Sequence, residues 1–241
     1  MDIGNVILDS LRYPTSNWSK VVILGVLFLS SFFIIPLFLA LGYLFRVVKS
    51  SLAGAEELPD FESWGEMMVD GLRLFLVYLI YTLPALIIGI FSFISIWSAI
   101  RSLSYMTHIN GITSTPNMLF SVLGSTLLVG LVIVGLYILV IYPIMMVAIG
   151  NMAYYNEFQA AFRLDEILSL ISQIGWVDLI VWYIAVFMVG IALWFVGIII
   201  SIIPILGTIA FIFFGYPYIY LFYTRSLAWL YSSAFTEDYV P

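Results

Sequence analysis

Five stretches of this chain are long and apolar enough to cross a lipid bilayer, and that fact limits the fold more than any other. A helix rises 1.5 Å per residue, so about 20 apolar residues are needed to cross the hydrocarbon core. The first stretch, 21–45, lies between Lys20 and Arg46, and the second, 74–100, lies between Arg73 and Arg101; both are free of charge. The third, 118–149, follows Thr115-Pro116-Asn117, where Thr115 suits an N-cap and Pro116 the first helical position. The fourth, 179–203, stops at Pro204-Ile-Leu-Gly207, and the fifth, 206–231, returns with Arg225 near its far end. With 63% apolar and 9% charged residues and a mean hydropathy of +1.14, neither a soluble core nor a disordered chain is compatible with this composition. The sequence predicts an all-α integral membrane protein, one membrane domain over 1–241.

Three further stretches have helical periodicity without spanning length. Over 60–72, Phe61, Trp64, Met68 and Leu72 form one stripe, with Glu62, Glu66, Asp70 and Arg73 opposite. Over 162–174, Leu164, Ile167, Leu168, Ile171 and Ile174 oppose Arg163, Glu166, Ser169 and Gln173. Over 2–13, Ile3, Ile7 and Leu11 oppose Asp2, Asp9 and Arg12, with Trp18 following as an interfacial anchor. These read as helices lying in the interface. Pro36 then Gly42 lead into the first of them, and Pro143 then Gly150 into the second, which predicts a parallel repeat of a span–interfacial helix–span unit.

Five crossings place the termini on opposite sides of the membrane. Arg12, Lys20 and Arg101 then share one side, and Arg46, Lys49, Arg73, Arg163 and Arg225 the other, which the positive-inside bias makes cytoplasmic together with the C-terminus. The location expected is the cell membrane. No basic n-region with a cleavage site precedes the first span, so that span is expected to be retained. A net charge of −6 argues against nucleic acid as a partner.

No catalytic constellation is visible. Cysteine is absent and His108 is the single histidine, placed by its neighbours in a polar loop over 102–117. Glu56, Glu57, Asp60 and Glu62 read as a solvated face rather than a metal set, and no cofactor loop is present. Charge within a span is costly and therefore informative, which singles out Arg225, either snorkelling to the headgroups or paired with Asp178 at the start of the fourth span. Pro36, Pro84, Pro143 and Pro217 predict kinks and free the carbonyls of Phe32, Ile80, Leu139 and Phe213, with serine, threonine and tyrosine hydroxyls nearby to satisfy them. Ala85-x-x-x-Gly89 and Ser121-x-x-x-Ser125 predict close helix packing, within the chain or in a homo-oligomer.

Leu41-Gly-Tyr-Leu-Phe-Arg-Val-Val-Lys-Ser-Ser-Leu-Ala-Gly54, followed by Glu57-Leu-Pro-Asp-Phe61, Trp64-Gly65 and Asp70-Gly71-Leu72, resembles the signature of an uncharacterised family of multi-spanning membrane proteins, the domain of unknown function numbered four thousand and thirteen. Leu11-Arg-Tyr-Pro14 with Trp18, Ala161-Phe162 and Ile203-Pro204-x-Leu-Gly207 extend the resemblance over nearly the whole chain. It implies an archaeal source and a single membrane domain, and no activity. The architecture is more distantly similar to the membrane domain attached to some glycerophosphodiester phosphodiesterases, which implies a place close to lipid. Two functions follow as expectations. One is non-enzymatic binding or transport of a small solute or lipid, with Arg225 and Asp178 at the site. The other is a scaffold that assembles a membrane partner through Trp64, Glu62, Glu66 and Asp70. An intramembrane enzyme ranks third.

Overall fold

A computed structural model describes residues 2–110 and 116–235, excepting the side chains of 103, 106–110, 116–123 and 126. The described residues are almost entirely helical: α1 Ile3–Arg12, α2 Trp18–Leu29, α3 Ile34–Leu52, α4 Trp64–Asn110, α5 Pro116–Tyr155, α6 Leu164–Ile174, α7 Trp176–Ser201, α8 Leu206–Ala210 and α9 Tyr216–Ser232. Five helical stretches are long and apolar enough to span: Ile34–Leu52, Trp64–Ser102, Leu127–Tyr155, Trp176–Ser201 and Leu206–Phe235. The all-α membrane class is as expected. The chain divides into two compact units, Met1–Val77 with Pro143–Pro241, and Tyr78–Tyr142.

In the first unit the apolar run 21–45 is not one span. It folds into α2 and α3 around a short turn at Ser30–Phe32, followed by an extended Phe33 (φ −84°, ψ 133°). Pro36 has no N–H to offer the Phe32 carbonyl and its ring crowds that oxygen, so the helix cannot run through. The carbonyls released at the end of α2 are taken locally. Ser30 Oγ donates to Val26 O at 2.6 Å and Ser31 Oγ to Phe28 O at 2.6 Å, while Phe33 N–H donates to Ser30 O. The kink expected at Pro36 is therefore a reversal. Val21, Leu24 and Leu27 of α2 share a buried core with Ala40, Tyr43, Leu44 and Val47 of α3. Lys20, at the start of α2, meets Asp60 in the segment after α3 at 2.7 Å. Both ends of this hairpin thus lie on one side.

The interfacial helix expected over 60–72 is not separate either; from Trp64 onward it is the opening of α4. Glycine brings α3 and α4 into backbone contact: a Cβ on Gly42 would sit 1.7 Å from Met67 O, and one on Gly71 1.8 Å from Phe38 O. The buried face of this stretch holds Met67, Asp70 and Leu74, while Trp64, Met68 and Leu72 of the expected apolar stripe are exposed. Over 162–174 the expectation of a short amphipathic helix holds. Here α6 buries Ile167, Leu170, Ile171 and Ile174, leaves Leu164 and Leu168 exposed, and turns into α7 through Gly175 at φ +91°. Only the second half of the expected repeat therefore has a separate short helix between its long ones.

Helices α7 and α9 pack through Gly190, whose Cα faces the Tyr223 hydroxyl, and through Trp182 Nε1, which donates to Ser226 Oγ at 2.8 Å. Between α8 and α9 the chain makes one wide turn, Phe211–Gly215, in which Tyr216 N–H reaches Phe211 O. Pro217 explains it, since this ring leaves the Phe213 carbonyl without its helical donor. That carbonyl lies against Gly25 of α2, where a Cβ would approach it to 2.5 Å.

In the second unit, Tyr137 Oη donates to Tyr81 O at 2.8 Å, and Gly130 faces Ser92 Oγ. Gly89 meets nothing within 4 Å, so within the described residues the expected Ala85–Gly89 stripe brings no neighbour close. Thr82 Oγ1 donates to Tyr78 O at 2.7 Å rather than to the Ile80 carbonyl that Pro84 frees. The polar loop expected over 102–117 is helical as far as Asn110, so the backbone of His108 lies in α4. Thr115 and the side chains of His108 and Ser121 lie outside the described residues.

Candidate binding cleft at the charged end

The eight basic residues of the chain segregate. Seven of them, Arg12, Lys20, Arg46, Lys49, Arg73, Arg163 and Arg225, belong to the first unit, and Arg101 to the second. Of these seven, Lys20, Arg46 and Arg225 meet the segment 53–63, and Lys49 and Arg73 meet Asp70 at the start of α4, forming a charged end of the first unit. The segment after α3 organises it, because six of its backbone oxygens find side-chain donors. Arg225 Nη1 reaches Ala55 O at 2.7 Å, Tyr13 Oη reaches Glu57 O at 3.1 Å, and Lys20 Nζ reaches Leu58 O at 2.6 Å. Tyr43 Oη reaches Pro59 O at 3.0 Å, and Arg46 Nη1 reaches Asp60 O at 3.1 Å and Glu62 O at 2.6 Å. A loop cannot satisfy its own carbonyls as a helix does, and these cations and phenols do it instead. The acidic side chains of Glu56, Glu57 and Glu62 are left exposed, as a solvated face requires.

Arg225 sits at the centre of this end. It is 6% exposed on α9, so it does not snorkel to the headgroups. Its acid is also not the one expected. Nε donates to Asp9 Oδ2 of α1 at 2.7 Å, and the guanidinium lies over the Tyr13 ring, 4.6 Å from its centroid. Trp229 Nε1, one turn further along α9, donates to the same Asp9 oxygen at 2.6 Å. Asp178 occupies the first turn of α7 and is not Arg225's partner. Burial alone would raise the Asp9 carboxyl, but the hydrogen bonds from Arg225 and Trp229 and the positive fields of Arg225 and Arg12 outweigh it and hold the group below the ordinary aspartate value. Tyr218 Oη completes the seam by donating to Leu11 O. Helix α1 is therefore docked on α9 rather than lying free, and the two ends of the described chain are on one side, against the expectation that they are opposed. The hairpin of α2 and α3 is the reason.

A cleft of about 540 Å³ opens along this seam, lined by Asp2, Asn5, Asp9 and Arg12 from α1 and by Trp229 and Ser232 from α9. Its volume falls within the range of ligand sites. Val6 and Leu8 give it an apolar side, Leu8 being exposed.

The other residues singled out by sequence separate into two places. Asp70 is buried between Lys49 Nζ at 2.7 Å and Arg73 Nη1 at 3.4 Å, and so belongs to the packing of α4 on α3. Trp64, Glu62 and Glu66 are exposed. Sequence reasoning missed Asp9, Tyr13 and Trp229 as parts of the site. Asp9 had been assigned to the water-facing side of α1, and the signal that could have moved it is Arg225 itself, since a cation in a span needs an acid and few lie near a helix able to reach it.

Comparison with known proteins gives one match. The family DUF4013, described as a protein of unknown function, matches residues 26–202. No curated protein and no solved structure matches the chain. Helices α1 and α9, which build the cleft, lie outside the matched residues.

Proposed function

The chain belongs to the DUF4013 family of proteins of unknown function, and on its geometry we propose that it is a non-enzymatic membrane protein that binds a lipid or small solute at the cleft between α1 and α9. The observation that carries this reading is the cleft itself, polar at its walls, apolar on one side, and lined by Asp9, which Arg225 holds from behind. Arg225 is buried and holds Asp9, itself 40% exposed, in place at the edge of the cleft, and fixed polar groups beside apolar surface are what an amphiphile needs. On the positive-inside bias we take this end, which holds Lys20, Arg46, Lys49, Arg73 and Arg225, as the cytoplasmic one in the cell membrane.

Native mass spectrometry of protein released from lipid nanodiscs tests the reading. A stoichiometric adduct above the 27.2 kDa chain, lost on Trp229→Ala, is the expected result. A bare chain, or adducts indifferent to Trp229, refutes it. Flux into proteoliposomes then separates a carried ligand from a held one. A second reading, assembly with a membrane partner or a second copy, is favoured by Trp64, 47% exposed beside the acidic side chains of Glu62 and Glu66. It predicts a co-purifying protein that Trp64→Ala removes.

A further inference from the structure

We infer that the ligand of this cleft carries a zwitterionic head, a phosphate joined to an ammonium, as in phosphatidylethanolamine or free phosphoethanolamine. The inference rests on the binding reading above and names its ligand class. Asp9 and Arg12 lie one turn apart on α1, where Arg12 acts on Asp9 through its field but makes no ion pair with it. Asp9 is turned toward α9, where Oδ2 takes the donors of both Arg225 and Trp229. Its Oδ1 accepts no hydrogen bond from any described residue. Arg12 is exposed, lines the cleft, and its guanidinium makes no hydrogen bond or ion pair with any described residue. One wall of the cleft thus presents an uncommitted guanidinium and, a turn away, an uncommitted carboxylate oxygen.

Charge then selects the ligand. Among the described residues, Asp2 and Asp9 contribute two negative charges to the cleft, Arg12 one positive, and Arg225 behind Asp9 another, so that these residues balance and their charges lie apart. An anionic head would find Arg12 but also meet both carboxylates, and a purely cationic one would meet Arg12. A head with separated opposite charges satisfies both ends. Its phosphate takes the planar donor pair of Arg12, and its ammonium takes Asp9 Oδ1 beside the Trp229 ring. The Asp2 carboxylate is less available, since Asn5 N and Nδ2 occupy its two oxygens. Leu8, 53% exposed, offers apolar surface next to the head for the rest of an amphiphile.

The test uses the full chain in nanodiscs made of equal parts phosphatidylethanolamine and phosphatidylglycerol, with retained lipid counted by native mass spectrometry. The expected result is at least tenfold more phosphatidylethanolamine retained, with Arg12→Gln abolishing that preference at an unchanged melting temperature. Arg12 is exposed and makes no side-chain bond with any described residue, so its replacement does not threaten the fold. Equal retention of the two lipids, or more phosphatidylglycerol, overturns the inference. If that retained lipid is still lost on Trp229→Ala, the binding reading survives without it, whereas no retained lipid of either kind removes both. A second arm adds soluble phosphoethanolamine to the protein carrying its retained lipid. Displacement of the retained lipid by it identifies a free solute as an equal source of the head, and retention of the lipid alone identifies the bilayer as the source.

Discussion

Replacing Arg225 with leucine removes a cation that is 6% exposed and held from three directions, and the structure allows its cost to be worked out. Two hydrogen bonds of 2.7 Å are lost, one to a carboxylate and one to a carbonyl, together with the approach to the Tyr13 ring at 4.6 Å. Hydrogen bonds involving a charged group are each worth about 1.5–3 kcal/mol, and orphaning a fully buried partner costs about 3–5 kcal/mol. Asp9 is not fully buried, since its side chain is 40% exposed, so its carboxylate rehydrates and keeps the Trp229 indole as a donor. The Ala55 carbonyl loses its side-chain donor. With the Asp9 bond discounted for rehydration and the Ala55 bond lost in full, the destabilisation is about 2–3 kcal/mol, below the figure for a sealed pair and well above that for a surface one. Denaturant unfolding in detergent micelles measures it. The partner assignment is tested by two double-mutant cycles. Arg225→Leu with Asp9→Asn is expected to show a coupling of about 1–2 kcal/mol, and Arg225→Leu with Asp178→Asn to be additive within about 0.5 kcal/mol. A snorkelling arginine would lose less than about 0.5 kcal/mol on truncation, and that result, or a coupling to Asp178 instead of Asp9, refutes the reasoning.

Three further outcomes follow from the same structure. Gly42→Ala or Gly71→Ala drives a methyl into a backbone oxygen less than 2 Å away and is expected to cost at least about 2–3 kcal/mol, whereas Gly89→Ala, with nothing within 4 Å, is expected to be neutral or stabilising by up to about 1 kcal/mol, both read by unfolding midpoint. Because the native Asp9 carboxyl lies below its ordinary value of 3.8, its contribution to docking α1 is complete above that pH and is lost as pH falls through the lowered native value; proteolysis within α1 should accelerate only in that acid range, and acceleration near neutrality would contradict the assignment. The chain has no cysteine, so single cysteines at Asn5, Trp64 and Ser233 should react with an impermeant maleimide from the same face of sealed vesicles and one at Ile205 from the other, while opposite faces for Asn5 and Ser233 would refute the α2–α3 reversal.

What could be read before folding was whatever depends on a local pattern. Long apolar runs declare spans, and α7, with its start at Trp176 and its end before Pro204, departs from its expected bounds by only a few residues. The reversal at Ser30–Phe32 was half legible. Pro36 announces a break, but a kink and a hairpin differ only in whether α2 finds a place to lie, and that place is made by Gly25 against the carbonyl that Pro217 frees, far along the chain. The cleft was illegible for a related reason: Asp9 and Arg225 are 216 residues apart, and the remaining acceptors around Arg225 include a main-chain oxygen that no side-chain pattern encodes. The opening of α4 shows a third kind of failure, in which a correct period led to the wrong face. A stripe of Trp64, Met68 and Leu72 opposite Asp70 and Arg73 would turn inward in a protein surrounded by water. Around a membrane helix the surroundings are themselves apolar or interfacial, so the large apolar side chains gain nothing by turning inward and are exposed, while the group that most needs a partner, Asp70, turns toward Lys49. Small residues follow the same logic, Gly71 facing α3 where a stripe drawn by hydrophobicity alone would not have placed it. In chains of this class, the inward face is better located by charge that needs pairing and by glycine that permits approach than by hydrophobicity.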